Sequence, residues 1–164
     1  ATPAMLGLAL GAYGLTQAAL QLPLGWLSDR VGRRPIILLG LSAFIAGSLV
    51  AAYAETLNGI IVGRFLQGCG AIAAALTAMA ADYTRDSQRT KTMAIIGASV
   101  GLSFVIALVL GPVLAAVGGL GLVFMTTAGL GVIGFLLVAL VLPKVPAVQA
   151  STSGAAWQAN HIFG

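Results

Sequence analysis

The stretch Gly25-Trp26-Leu27-Ser28-Asp29-Arg30-Val31-Gly32-Arg33-Arg34-Pro35 sets one acid and three arginines between two long apolar runs. Upstream, residues 4–24 carry no charge, and downstream neither do residues 36–54. About 20 apolar helical residues, each rising 1.5 Å, cross the roughly 30 Å core of a bilayer. The arginine-rich stretch therefore reads as a short connection between two membrane-spanning helices. Three more runs of that length follow, at 57–81, 93–116 and 120–142, and Arg64 is the charge that falls inside a span.

Composition agrees. Of 164 residues, 59% are hydrophobic and 7% charged, with 22 glycines, and mean hydropathy is +1.04. A water-soluble domain carries about 25% charged residues, and an apolar surface of this extent would aggregate in water. A soluble globule and a disordered tail are excluded, and a net charge of +4 is too sparse for a groove that tracks nucleic-acid phosphates. One cysteine rules out a disulfide framework or a cysteine-rich metal site. Runs such as Gly134 to Leu142 do not alternate apolar with polar residues, so a β-barrel fits poorly. The fold class is an all-α membrane protein, a polytopic bundle of five transmembrane helices.

Lysine and arginine alternate between connections. Successive loops and the tail hold three, zero, three, zero and one of them. Basic loops stay cytoplasmic, which puts the 29–34 and 82–91 connections and Lys144 inside and residue 1 outside. Tyr53 near an outer end, and Trp26 and Tyr83 near inner ends, suit the aromatic belts of a bilayer. An outside start without a signal sequence implies a preceding span, which would make six helices. Residues 143–164 read as the start of a cytoplasmic linker.

Asp29 lies at the negative end of a helix, where a carboxylate needs a cation, and Arg30, Arg33 and Arg34 are nearby. Gly32 permits a tight turn and Pro35 suits the first turn of the next helix. An orientation signal alone would explain the arginines but not Asp29 and Gly32 among them. Gly25 to Arg34 matches G-x-L-x-D-R-x-G-R-R, and through it the chain resembles the major facilitator superfamily, whose signature stands between the second and third helices. The resemblance implies helices two to six of a six-helix half, a second six-helix half elsewhere in the transporter, and a cytoplasmic latch. In that latch Gly25, Asp29, Arg30, Gly32, Arg33 and Arg34 hold the two halves together at the inner face when the carrier is open outward.

Arg64 stands roughly 10 Å below the outer end of its span. A cation at that depth costs at least a few kcal/mol and turns toward protein or a water-filled cavity, or else snorkels to headgroups. Gln67, three residues on, shares its face. Arg64 to Ala71 matches the R-x-x-Q-G-x-G-A of the family's fourth helix, and the resemblance implies that Arg64 tunes a proton-binding carboxylate. No acid lies inside the spans, so that group would belong elsewhere.

Gly97-x-x-x-Gly101 and Gly111-Pro112 are expected as packing and kinking positions. The family's antiporters carry g-x-x-x-G-P-x-x-G-G there, with Ala107, Ala115 and Ala116 replacing glycines in this chain. Asp82 repeats the electrostatic problem of Asp29, with Arg85, three residues on, or the arginines of the first basic connection as candidate partners. Tyr13, Gln17 and Gln21, four residues apart, form a polar stripe that lines a cavity or glues helices together. The spans hold Ser42, Ser48, Ser99 and Ser103 but no histidine, and no grouping supports enzymatic catalysis, a metal or a cofactor. The resemblance, closest to bacterial drug/proton antiporters, implies a bacterial inner-membrane transporter that expels a small molecule in exchange for protons. A sugar or metabolite importer on the same fold, or a non-transporting membrane module, is the alternative. Lipid, a small molecule, protons and the remaining helices are the expected partners, and nucleic acid is not one.

Overall fold

A computed structural model describes residues 3–142. The expectations for residue 1 and for the linker 143–164, with Lys144, lie outside the described residues. The described part is helical throughout, and contains no strand. Helix α1 (Pro3–Val31), α2 (Arg33–Ala52), α3 (Leu57–Gly68), α4 (Ala73–Asp82) and α5 (Arg89–Val141) follow in order, with a 3-10 turn at Asp86–Gln88.

Helix α1 runs past the apolar segment, so Asp29 and Arg30 occupy its last turn rather than a loop. Its 29 residues span about 43 Å, more than the bilayer core. The connection to α2 is Gly32 alone, at φ +109°, a conformation that L side chains rarely adopt. At the far end of α2, Tyr53 to Thr56 reverse the chain, and Thr56 Oγ1 accepts from the Gly59 amide at 3.2 Å to cap α3. The third apolar run is one pass interrupted at residues 69–72, between α3 and α4.

Four stretches are long and apolar enough to cross a membrane: Pro3–Val31, Arg33–Ala52, Leu57–Asp82 and Asp86–Val141. The fourth folds back on itself. Gly118 and Gly119 leave helical geometry, Gly119 at φ +69°. Beyond them, residues 120–141 run antiparallel to α2. A Cβ on Gly121 would meet the Ala52 carbonyl, one on Gly131 would meet Ile45 and Phe44, and Arg34 reaches the Ala139 carbonyl. The first arm, residues 89–117, starts at the arginine-rich end, where Arg89 donates to the Ala81 carbonyl beside Asp82, and the second arm returns to it. Two arms, and five helical passes in all, result.

A small core of Ile36, Ile37, Ala75 and Val138 joins α2, α4 and the second arm at the arginine-rich end. Most large apolar side chains face outward, Leu10, Leu22 and Leu140 among them. That inversion suits lipid as solvent, where association rests on close packing of small residues rather than on hydrophobic burial. Gly47 of α2 and Gly63 of α3 lie backbone to backbone: a Cβ on Gly63 would stand 2.6 Å from the Ala51 nitrogen. Gly68 meets α1 the same way, 2.6 Å from the Tyr13 carbonyl oxygen. The first arm of α5 is the exception, with Val100, Phe104, Leu108 and Val117 all exposed.

Candidate functional site

Two polar constellations stand out, one at the arginine-rich end and one inside the bundle. At the end, Arg33 is the hub. Its guanidinium pairs with Asp29, donates through Nε to Asp82 Oδ2 at 3.1 Å, and donates through Nη1 to Ser28 Oγ at 2.9 Å. Ser28, almost fully buried, donates in turn to the Gly25 carbonyl at 2.6 Å. A Cβ on Gly25 would lie 3.2 Å from that of Ala74, so the missing side chain lets α1 approach α4. The turn at Gly32 delivers Arg33 back over the end of α1. Three helix ends are thereby tied by one side chain, and both carboxylates at helix C-termini receive the cation they need.

The other arginines of this motif act separately. Arg30 stacks on the Trp26 ring, 3.9 Å from its centroid. Arg34 donates through Nη2 to the Ala139 carbonyl at 2.6 Å, in the last turn of α5, where helical carbonyls lack intrahelical partners. Its buried Nε has no acceptor among the described residues. Arg89 lies 3.7 Å from Asp86. Asp82 thus pairs with Arg33 across 49 positions of sequence, and Arg85 makes no ion pair among the described residues.

Inside the bundle, Arg64 on α3 donates through Nη1 to Gln67 Oε1 at 3.2 Å. Gln67 Nε2 donates to Ser48 Oγ on α2 at 2.7 Å, and Ser48 donates to the Phe44 carbonyl at 2.8 Å. On the other side, the Tyr13 ring of α1 lies 4.8 Å from the guanidinium carbon. Gln67 and Ser48 are fully buried. The close glycine crossings at Gly47, Gly63 and Gly68 bring the three helices near enough for this chain to form. No carboxylate among the described residues takes part.

The polar stripe on α1 divides. Tyr13 belongs to the Arg64 constellation, and the Gln17 backbone borders Gly68. Gln21 lines a cleft of about 630 Å³ between α1, α4 and the start of α5, with Ala73, Thr77, Asp82 and Met93. Its buried Oε1 has no partner among the described residues. Gly97, Gly101 and Gly111 have no heavy atom within 4 Å of where a Cβ would stand. Helix α5 continues through Pro112. Ser28 and Ser48 are the residues that sequence reasoning missed. Ser28 holds an unspecified place in the signature. Ser48 adjoins the small-residue face Gly40, Gly47 and Ala51 of α2, a pattern that marks a close helix contact.

The profile of the Major Facilitator Superfamily matches residues 1–160. The inner membrane transport protein YajR of Escherichia coli is 51% identical over 144 residues, covering 88% of this chain and 32% of that protein. The class B tetracycline resistance protein of Escherichia coli is 38% identical over 114 residues, 69% of this chain and 27% of that protein. Multidrug resistance protein MdtL of Klebsiella pneumoniae is 31% identical over 156 residues, 93% of this chain and 40% of that protein. The chain spans about a third of the length of the curated relatives it matches. A helical, apolar chain that carries the signature at Gly25 to Arg34 and matches the profile almost from end to end is an integral membrane protein, not an enzyme, and it belongs to the major facilitator superfamily.

Proposed function

We propose that the chain supplies helices two to six of the first half of a secondary active transporter. It expels small molecules across a bacterial inner membrane, driven by protons and by alternating access. The connections at 29–34 and 82–91 face the cytoplasm, as their arginines and lysine direct. The partners are the first helix and the second six-helix half, with the substrate held between halves near the midplane.

The observation that carries this reading is the Arg33 hub. Arg33 fixes the ends of α1, α2 and α4 as one unit, and it leaves Asp29 more than half exposed, at 57%. A rigid end with an outward-facing carboxylate and a stacked, accessible Arg30 is what a latch needs. The halves close on it when the carrier opens outward, and water replaces the contact when it opens inward. Arg64 supplies the second element, a cation inside the membrane whose remaining donors have no acceptor among the described residues. A carboxylate from another helix, charged or protonated, completes it and couples proton movement to transport. The relatives named for tetracycline and multidrug resistance support export of amphiphilic drugs.

The test uses everted membrane vesicles that contain the complete transporter, a proton gradient, and tetracycline or ethidium as probe. Accumulation of a probe that collapses with the gradient is expected. Asp29→Asn should lower it about tenfold with unchanged insertion. Gradient-independent flux, or full transport by Asp29→Asn, would overturn the reading.

A further inference from the structure

Ser48 sits at the end of the buried chain that begins at Arg64, and its chemistry dictates the orientation of everything between. A serine hydroxyl has one hydrogen to donate. Ser48 gives it to the Phe44 carbonyl at 2.8 Å, so toward α3 its oxygen can only accept. Gln67 must then present its NH2 group to Ser48, which it does at 2.7 Å, and its carbonyl oxygen is turned the other way. Arginine has donors only, so the guanidinium requires that carbonyl oxygen and meets it at 3.2 Å. The two ends of the chain demand the same Gln67 orientation. Without Ser48 only the single 3.2 Å bond to Arg64 would hold the amide in this orientation, and the Gln67 NH2 group would lose its buried acceptor.

We propose that Ser48 is a positioning residue for Arg64, fixing the Gln67 amide so that the guanidinium stays seated beside Tyr13 with its other donors uncommitted. The proposal rests on the reading of Arg64 as the cation that proton coupling uses. Ser48 reaches Arg64 from a different helix, α2, whose approach depends on Gly47 and Gly63. Proton coupling therefore depends on the α2–α3 crossing through a hydroxyl that reaches Arg64 only by way of Gln67.

Two measurements separate the proposal from the reading beneath it. The first needs no substrate: exchange of the Gln67 side-chain amide protons, followed by isotope-edited magnetic resonance on the complete transporter in detergent. Ser48→Ala should speed that exchange about tenfold, while the backbone amides of residues 63–68 keep their protection. Ser48→Cys, which fills the same space with a weak acceptor, should move it in the same direction and serves if the alanine variant does not fold. Unchanged exchange in the variant that folds would overturn the proposal.

The second measurement compares proton-driven accumulation with gradient-independent substrate exchange, using whichever of tetracycline and ethidium the vesicles carry. Ser48→Ala should lower the first about three- to tenfold and leave the second within twofold. In the Gln67→Leu background it should add nothing, since Ser48 acts through Gln67. A merely structural role would lower both fluxes together and add to Gln67→Leu, which would overturn the proposal. If amide exchange responds as expected but Arg64→Lys leaves proton-driven accumulation intact, the reading of Arg64 falls while the orienting action of Ser48 stands.

Discussion

Arg33 is held by side chains from two other helices and Arg64 by one from its own helix and one from α1, and their surroundings differ. Arg33 lies at the bundle end among two carboxylates that are about half exposed, Asp29 at 57% and Asp82 at 46%. Arg64 lies within an apolar stretch and is held by an amide and an aromatic ring. At the water's edge each ion pair contributes only about 0.2–1 kcal/mol, because water competes for both partners. Such contacts can be traded for others at little cost, as the proposed latch would require. Between Gln67 and Ser48, both fully buried, no water competes, and a broken hydrogen bond leaves a buried group unsatisfied at a cost of about 1–3 kcal/mol. That asymmetry favours a fixed geometry. The molecule places exchangeable ion pairs at its end and, in its middle, a cation held by neutral, oriented groups.

The contrast breaks most visibly if the crossing that supports the inner constellation is forced open. A side chain on Gly63 would overlap Ala51 and the Gly47 carbonyl. Gly63→Val should cost about 3 kcal/mol, lower the melting temperature in detergent, and abolish proton-driven transport by parting Gln67 from Ser48. Gly97→Val is the control, because nothing stands within 4 Å there. In the purified 164-residue chain it should change stability by less than about 0.5 kcal/mol. Equal effects at the two glycines would deny that α2 and α3 depend on backbone contact.

Next in size is Gln67→Leu. It keeps the volume and removes the middle of the chain, leaving Ser48 Oγ and Arg64 unpaired in an apolar setting. A loss of about 1–3 kcal/mol is expected, and it should not vary with salt, because no exposed ion pair is involved. Asp82→Asn should behave in the opposite way. Its stability cost should stay below about 1 kcal/mol and shrink as ionic strength rises. A double-mutant cycle with Arg33→Ala should return a coupling energy in that same small range. A salt-independent coupling of several kcal/mol would show the hub to be as dry as the inner chain and would remove the physical distinction between them.

The sequence exposes these two regions unequally. Apolar runs, alternating basic connections and the Gly118-Gly119 turn are legible because each rests on composition or on one residue type. The spacing of Arg64 and Gln67 is legible because three residues of helix bring side chains together. What escapes are contacts across distant segments. For Asp82 the sequence leaves Arg85 and the arginines of the first basic connection both open, and the tight turn at Gly32 decides for Arg33 by aiming that side chain back at α4. Ser48 looks like one of four serines in apolar helices. Its role exists only because Gly47 and Gly63 let α2 and α3 touch. The break between α3 and α4 is equally silent, since Cys69-Gly70-Ala71-Ile72 is as apolar as its flanks.

The smallest effect concerns Arg30, and it bears on which cation the latch can move. Arg30 has no carboxylate within ion-pair distance among the described residues. Its guanidinium carbon lies over the Trp26 ring, 3.9 Å from the centroid, and Trp26 is itself 56% exposed. A stacked arginine at such a site contributes about 0.5–1 kcal/mol, and an exposed pair on one helix falls at the lower end. Trp26→Ala should therefore destabilise the protein by about 0.5 kcal/mol and leave the Arg33 hub intact. Arg30→Lys should cost about the same, because an ammonium lacks the planar face that stacks on a ring. Unlike Asp82→Asn, both changes should respond weakly to salt, since the ring attracts through its quadrupole rather than through a full charge. If instead Trp26→Ala leaves stability unchanged but slows transport as much as Asp29→Asn does, the ring is the platform that presents Arg30 to the opposing half. The mobile part of the latch is then the Trp26–Arg30 pair, turning above a hub that Arg33 keeps still.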